Sequence, residues 1–501
     1  MKTKLLILHL FFGFLIQAQI INFPDLNFKN ALLNMNVPID TNGDNEIQIS
    51  EANSYSLPLH LTGHQISDLT GIEYFINTNE ILCSFNNLTS IDVSQNININ
   101  KLICEGNNLT TLNISQNTKL RGLNCSVNNL TTLDISQNTK LQGLGCSLNN
   151  LTTLDISQNT KLLTLDCSQN NITQLDFINN NLLSYLHCTD NNLTSLVLPN
   201  SIFEVYCDEN NLISLDFSNH TNLVYLFCGQ NYGLLDINIT GCTNLVQFNM
   251  ENTQVSSLNI ESNPNLSALE IPDNQLTALD LSNTPYLQYL YCGGNEISTI
   301  DVSQNPYLIG FGVGSNNIST LDVSNNPNLY QFWCANNNLS TLDVSNNPNL
   351  VNLNVSNNSL TSLDVRNGNN INFTTFYASN CNLLSCIYVD NAQYSQSNWT
   401  HISSNSTFVE TESECEALQI NASVIENEFT FYPNPVKNIL TIKTPNTTIK
   451  EIKIYTVLGK EVIKTTNKKI DLSYLSNGIY IVKITTSDNN TITKKIVKNG
   501  N

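Results

Sequence analysis

Positive charge is nearly missing from most of this chain. Residues 19–428 hold 7 Lys and Arg against 37 Asp and Glu, and no Lys or Arg lies between Lys161 and Arg366. Phosphate-rich partners are held by Lys and Arg, so this deficit argues against nucleic acid and anionic membrane surfaces as ligands. The same gap, with no Asp-Asp pair anywhere, removes the basic side chains and clustered carboxylates that a polysaccharide-cleaving groove needs. Neither a CxxC nor a Cys with a nearby His recurs among the 14 cysteines, so metal and redox chemistry do not organise them. His60 and His64 stand four apart without a Glu between them, in a turn-rich segment, which makes a poor zinc pair. Long apolar runs are missing too. The one from Leu5 to Ile16, preceded by Lys2 and Lys4 and followed by Ala18, is too short to span a bilayer. It has the layout of a signal peptide over residues 1–18, and no transmembrane segment is expected in the mature chain.

What the chain has is period. Cys83, Cys104, Cys125, Cys146, Cys167 and Cys188 recur every 21 residues inside the unit LxxLxCxxNNLTxLDIS. A fixed period means stacked copies of one unit, hence a solenoid with an extended surface rather than a globule around a pocket. From Leu120 to Leu141 the apolar residues Leu123, Cys125, Leu130, Leu133 and Ile135 fall in two short alternating segments, so each coil is expected to carry two short strands. Between them sits Asn128, whose counterparts from Asn86 to Asn358 form a ladder. An amide both donates and accepts, so stacked Asn side chains can satisfy turn backbone groups that would otherwise be buried unpaired. In later coils the cysteine column becomes Met250, Ile271, Val313 and Val355, so the position wants a buried apolar side chain rather than a thiol. Coils stack about 4.8 Å apart, wide for the Cβ separation of a disulfide, and the column is expected to stay as free thiols.

This pattern resembles the leucine-rich repeat family, specifically its 21-residue bacterial class called IRREKO, over roughly residues 61–385 and about 15 coils. Two coils depart from it: Cys188 to Cys207 is two residues short, and Asp236 to Met250 is irregular, with Cys242 in an inserted turn. The resemblance implies a mainly β solenoid acting as a non-catalytic binding or adhesion scaffold. The alternative is a right-handed β-helix, which also stacks such coils on Asn ladders, and with it a polysaccharide-processing enzyme.

Both ends of the array need caps. Within residues 19–60, Asp40, Asn42, Asp44, Glu46, Gln48 and Glu51 occupy positions 1, 3, 5, 7, 9 and 12 of a calcium loop, with Ile47 at the apolar position 8. The loop resembles an EF-hand or dockerin loop, flanked by an entering helix with Phe28, Leu32 and Leu33 and an exiting one with Ala52 and Tyr55. The usual Gly at position 6 is Asn45, which tolerates a left-handed turn. A loop of Asx turns that simply caps the solenoid is the other reading. Beyond Leu383, the stretch from Cys386 through Tyr388, Trp399 and Phe408 resembles the C-terminal caps of such arrays, and with it a Cys386–Cys415 disulfide is expected. Cys381 falls on the Asn-ladder position.

Residues 429–501 form a separate module, with 12 Lys against 4 acidic residues. Alternation at Leu440, Ile442, Ile452, Ile454, Ile479, Ile481 and Ile484, with turns at Gly459 and Asn477-Gly478, reads as a small antiparallel sandwich. Its opening Tyr432, Pro433, Asn434 and Pro435, then IYTVLGKEV, DLSYLSNGIYIVKI and KKIVK, resemble the type A sorting domain of the type IX secretion system of Bacteroidota. That resemblance implies the type IX machinery as a partner, outer-membrane export, removal of the tail, and release or attachment at the cell surface. A cap and linker over residues 386–428 join the two parts.

One outward column remains. In the LDIS segments Leu133 and Ile135 point in and Asp134 points out, so Asp280, Asp301, Asp322 and Asp343 stack into an acidic stripe. Such a stripe reads either as a solvated face or as a docking surface for cations or a basic partner. Asn129-type and Thr131-type positions add a uniform polar column, and the ligand class stays open between glycans, another surface protein and a second copy of the chain.

Overall fold

The computed structural model describes residues 19–418, 429–444, 448–487 and 491–499. The expected leader and the last stretch of the linker lie outside them. Among the described residues no helix is long and apolar enough to cross a membrane.

The coil builds as its sequence dictates. Leu120, Leu123, Cys125, Leu130, Leu133 and Ile135 all turn inward and are buried. The strand Gly122–Asn124 pairs in parallel with Lys101–Ile103 before it and Gly143–Gly145 after it, each Leu beneath the next. Repeating this step gives one parallel ladder of 17 strands among the described residues. It runs from Leu59–His60 to His401–Ile402, so the segments flanking residues 61–385 also contribute rungs. The second extended segment of each coil is less regular. It pairs as a strand where Ser214–Asp216 meets Asp236–Asn238 and where Thr341–Asp343 meets Ser362–Asp364. In paired and unpaired coils alike, as at Asp343 and Asp134, the Asp side chain there accepts the N–H two residues on.

Two Asn ladders close the turns. Asn128 Nδ2 donates to the carbonyls of Cys104, Cys125 and Ser126, each at 3.1 Å, while its Oδ1 accepts the Leu109 N–H at 2.9 Å. The second ladder goes beyond what the repeat pattern indicates. Asn138 Nδ2 donates to Ile114 O at 3.1 Å and Asn117 O at 3.0 Å, and Asn96, Asn117, Asn159 and Asn180 are fully buried in the same column. Cys242 belongs to this column rather than to an inserted turn: its own N–H is bonded to Ile239 O, and Asn263 donates to its carbonyl at 2.9 Å. The residue before each first-ladder Asn is left-handed, as at Val127 with φ 55° and Leu148 with φ 52°. For a β-branched side chain that conformation is strained, and the ladder bonds on either side hold it.

At the start, the helix Leu26–Leu33 is capped by Asp25, whose Oδ1 accepts the N–H groups of Asn27 and Phe28. Its Oδ2 accepts the Ser67 N–H at 2.6 Å and hydroxyl at 2.8 Å, tying the cap to the first coil. Toward the end of the ladder, Trp399 stacks on Phe376 at 4.2 Å and on Phe373 at 5.3 Å, covering apolar surface the last rungs would expose.

The second compact unit holds residues 385–393 and 407–501. In it Cys386–Tyr388 pairs in parallel with Thr407–Val409, and Cys386 is joined to Cys415 by a disulfide with Cα atoms 5.9 Å apart. Its larger part is a two-sheet antiparallel sandwich. Thr430–Tyr432, Ile439–Lys443 and Lys469–Asp471 make one sheet; Glu461–Thr465, Ile449–Thr456, Gly478–Thr486 and Thr491–Lys498 make the other. Leu440, Ile442, Ile452 and Ile454 fill its core. On Gly478–Thr486 the expected phase holds at Ile484, which is buried, and is one residue out at Ile479 and Ile481: Tyr480 and Val482 point in, while Ile479 is exposed. Side chains alternate with period two, so a slip of one residue exchanges the faces.

Candidate functional site

The exposed side of the parallel ladder carries the residues that vary from coil to coil. In each three-residue strand the middle residue, most often Leu or Phe, is buried, so the residues before and after it face outward. Successive strands set these outward residues directly beside one another. His187, Tyr206 and Phe227 are register partners, with His187 edge-on to Tyr206 at 4.5 Å and Tyr206 stacked on Phe227 at 4.5 Å with planes 5° apart. Farther along, Tyr291 and Trp333 stack at 5.9 Å across the glycine strand Gly310–Gly312. A side chain at Gly310 would meet the Tyr291 hydroxyl, and one at Gly312 would meet its ring, so these glycines are what lets Tyr291 lie down on the sheet.

A second glycine-floored stretch forms a trough. Gly122, Gly143 and Gly145 remove three outward side chains in adjacent strands, leaving a concavity of about 540 Å³ walled by Ile103 and Asn124 on one side and Asp166, Tyr185, His187 and Glu204 on the other. Carboxylates continue beyond it. Asp208 Oδ1 accepts the Gly229 N–H at 2.9 Å, and Glu270 Oε2 accepts Asn249 Nδ2 at 3.1 Å. Burial, with a smaller push from the Glu251 and Glu209 charges, holds the Asp208 carboxyl above the usual carboxylate range. Burial and the nearby Glu204 raise the Tyr206 phenol in the same way.

The acidic stripe lies on the other extended segment of the coil. Asp280, Asp301, Asp322 and Asp343 are exposed, yet each braces its own turn, with Oδ1 accepting the N–H of Ser282, Ser303, Ser324 and Ser345 at 2.8–2.9 Å. Those serine bonds hold the Asp280, Asp301 and Asp322 carboxyls below their ordinary range, and at Asp301 the charges of Asp322 and Asp280 oppose the shift only weakly. The stripe is therefore a row of Asx turns. The cysteine column is buried and forms no disulfides, and burial pushes the thiols of Cys83, Cys125 and Cys292 up to about 12.

In the N-terminal cap the loop runs between Leu26–Leu33 and the helix Ile49–Ser54. Asn45 is left-handed with φ 62°, its N–H bonds Asp40 Oδ2 at 2.9 Å, and Ile47 is fully buried. The donor types suit a hard cation, whose ligands are carboxylate and amide oxygens. Their placement is a self-closed ring instead. Asn42 Nδ2 donates to Asp44 Oδ2 at 3.0 Å, Gln48 Nε2 donates to the same oxygen at 2.9 Å, and Lys29 pairs with Glu46 at 2.7 Å. Glu51 accepts the N–H groups of Thr41 at 2.7 Å and Gln48 at 2.9 Å. Among the described residues no three His, Cys, Asp or Glu converge as metal ligands.

In the tail, Asn434 binds both ways to the last strand, Nδ2 to Lys495 O at 3.2 Å and Oδ1 from Val497 N–H at 2.8 Å, between Pro433 and Pro435. Tyr432 closes the strand Thr430–Tyr432, and Gly459 is left-handed at φ 79° in the turn after Thr456. Gly478 opens a strand rather than sitting in the turn itself.

Residues 430–499 match the family model of the secretion system C-terminal sorting domain. No curated protein matches the chain by sequence. Among solved structures, the functional domain of InlJ from Listeria monocytogenes, which includes a cysteine ladder, is 25% identical; the match covers 96% of this chain and 98% of that one, with a TM-score of 0.67. YopM from Yersinia pestis is 22% identical over 60% of this chain and 84% of its own, with a TM-score of 0.50. The plant peptide hormone receptor RGFR1, in complex with RGF2, is 19% identical over 64% of this chain and 60% of its own, with a TM-score of 0.53. The latter two share the fold alone. The chain is a leucine-rich-repeat solenoid that ends in a C-terminal sorting domain of the type IX secretion system.

Proposed function

We propose that the protein is a non-catalytic binding and adhesion scaffold, released or held at the outer cell surface after its tail is removed, and that the exposed ladder face is its binding surface. One observation carries this reading. Interior columns repeat nearly unchanged from coil to coil, whereas the ladder face changes from glycine to carboxylate to aromatic on a rigid backbone. Large aromatics on a fixed platform supply contact area at small entropic cost. RGFR1, a receptor in complex with RGF2, has a solenoid of the same fold, and this supports the reading.

The test is retention of the full chain on cells and on protein and glycan arrays, against a Tyr291→Ser, Trp333→Ser variant. Loss of retention in the variant is expected, with plant and algal polysaccharides releasing no reducing ends on incubation. Retention unchanged by the ladder-face substitutions would overturn the assignment of the surface.

We also propose calcium as a structural ion of the N-terminal loop. Donor type and spacing support it. Binding would require Asn42 and Gln48 to turn their amide oxygens to an ion shared with Asp44, and Glu51 to give up Thr41, so the hydrogen-bonded loop and the ion compete for the same groups.

A further inference from the structure

The ladder-face carboxylates from Asp166 to Glu270 have a charge problem that the chain does not solve. Asp166, Glu204, Asp208, Glu251 and Glu270 are all half-buried. No Lys or Arg occurs between residues 161 and 366. Among the described residues their one ion-pair contact is His187 Nε2 to Glu204 Oε1, at 3.5 Å. Partly buried charges are screened less by salt than exposed ones, so their field persists at physiological ionic strength. The carboxylates are also held in place by neutral donors: Asp166 Oδ1 takes the Ser168 hydroxyl at 2.6 Å, and Asp208 and Glu270 are fixed as described. The trough over Gly122, Gly143 and Gly145 opens at one end of this row, and the Tyr206–Phe227 stack lies beyond the trough, among the carboxylates of the row.

We propose that this part of the ladder face docks an extended, arginine- or lysine-bearing segment of a partner protein, its backbone in the glycine trough and its cations on Asp166, Glu204 and Asp208. The inference rests on the ladder face being the binding surface and adds the chemistry of the partner. An arginine fits best. Its planar fork binds carboxylates two bonds at a time, and its stem can lie along the edges of the Tyr206 and Phe227 rings. A floor without side chains lets another main chain approach closely, which larger outward residues forbid.

The test uses the full chain and a labelled, alternating Arg-Ser peptide, with its Glu-Ser counterpart and a neutral glycan array beside it. Binding of the Arg peptide should weaken with salt. It should fall by about tenfold or more in Gly143→Tyr, which fills the trough, and in the triple variant Asp166→Asn, Glu204→Gln, Asp208→Asn. A Tyr at 143 is compatible with the sheet, because its Cβ would meet only the end of the Thr164 side chain, at 3.2 Å. Gly143→Ser, too short to fill the trough, should keep binding within about twofold. Asp280→Asn, Asp301→Asn, Asp322→Asn and Asp343→Asn together remove more charge from the stripe and should also leave binding within about twofold. A loss in that stripe variant equal to the triple variant's would reduce the effect to general acidity and overturn the proposal. Capture of a neutral glycan, blocked by Gly143→Tyr, without capture of the Arg peptide would overturn the basic partner while leaving the ladder face standing. If no captured ligand responds to Gly143→Tyr, the docking proposal fails, and the ladder face fails with it as a binding surface if Tyr291→Ser, Trp333→Ser also leaves capture unchanged.

Discussion

Asn128→Ala should be among the most damaging single substitutions in the solenoid, and the hydrogen bonds say by how much. The amide makes four contacts, but they are not equal. Cys104 O also accepts from Asn107 at 3.0 Å, and Cys125 O from Asn149 at 3.0 Å, so each carbonyl keeps one donor when Asn128 is cut back. The Leu109 N–H has no such second partner in the ladder: its acceptor is Asn128 Oδ1, at 2.9 Å. Orphaning that buried N–H costs about 1–3 kcal/mol, and the weakened carbonyl bonds add about 1 kcal/mol more. The sum is about 3 kcal/mol, equivalent to about a hundredfold larger equilibrium constant for opening the coil. Urea denaturation followed by circular dichroism gives the total, and hydrogen exchange of a peptide containing Leu109 gives the local term. Asn129→Ala, one residue away and exposed, should stay within about 0.5 kcal/mol. Asn128→Cys should be milder than Asn128→Ala, because Cys381 holds the same ladder position, where its thiol donates to Val355 O at 3.4 Å. A cost below about 1 kcal/mol for Asn128→Ala, or unchanged exchange at Leu109, would refute the account of the ladder.

Other consequences can be measured directly. The column thiols should resist alkylation at neutral pH in the folded protein and react after unfolding, while mass mapping recovers Cys386 joined to Cys415. Their folded pKa is raised from 9.0 to about 12 at Cys83, so their contribution to stability is complete below pH 9 and is lost as pH rises from there toward 12; melting temperature should decline across that window. The stripe works in the opposite sense. Its carboxyls are depressed below 3.8, so their contribution is present above that value and disappears as pH falls through the folded pKa. Replacing the four stripe aspartates by Asn should lower the melting temperature only slightly, because Asn113 shows that Asn keeps the turn, with Oδ1 accepting Ser115 N–H at 3.1 Å, and what is lost is the extra strength of a charged acceptor. Calcium should raise the melting temperature of the N-terminal cap, and Glu51→Ala should abolish the response; a calorimetric titration without heat would leave the loop a turn. A chain ending at Glu428 should accumulate in the periplasm, and equal surface delivery with and without the tail would refute the role of the sorting domain in export.

The coil was legible because its interior repeats. Leu123, Cys125 and Asn128 have the same neighbours in every copy, so period and polarity fixed their places. The second ladder was equally present in the letters, with Asn117, Asn138 and Asn159 spaced by 21, but a polar residue in a turn carries no sign of burial until the neighbouring carbonyls are located. The ladder face was hidden for the reverse reason. Gly143, Tyr206 and Trp333 fall where the repeat unit is blank, and only cross-strand register makes neighbours of residues a full coil apart. The aspartate stripe was easy to see and open in meaning, since outward projection in the sequence does not reveal that Asp280 is already bonded to Ser282. At Ile479 and Ile481 a run of apolar residues left the phase undetermined, and sheet pairing chose it.

The coil between Cys188 and Cys207 lacks two residues, yet its strand Glu204–Tyr206 keeps register with Tyr185–His187 and Tyr225–Phe227. Its shortened turn is held by the coils on either side, with Ser201 Oγ on Leu183 O at 2.6 Å and His220 Nε2 3.1 Å from Leu198 O. Indels are thus absorbed within a single coil and are not transmitted along the stack. For the gene, this makes array length a free variable: unequal recombination between near-identical units can lengthen or shorten the protein by whole coils, and the length of the exposed ladder can change without a new folding problem each time.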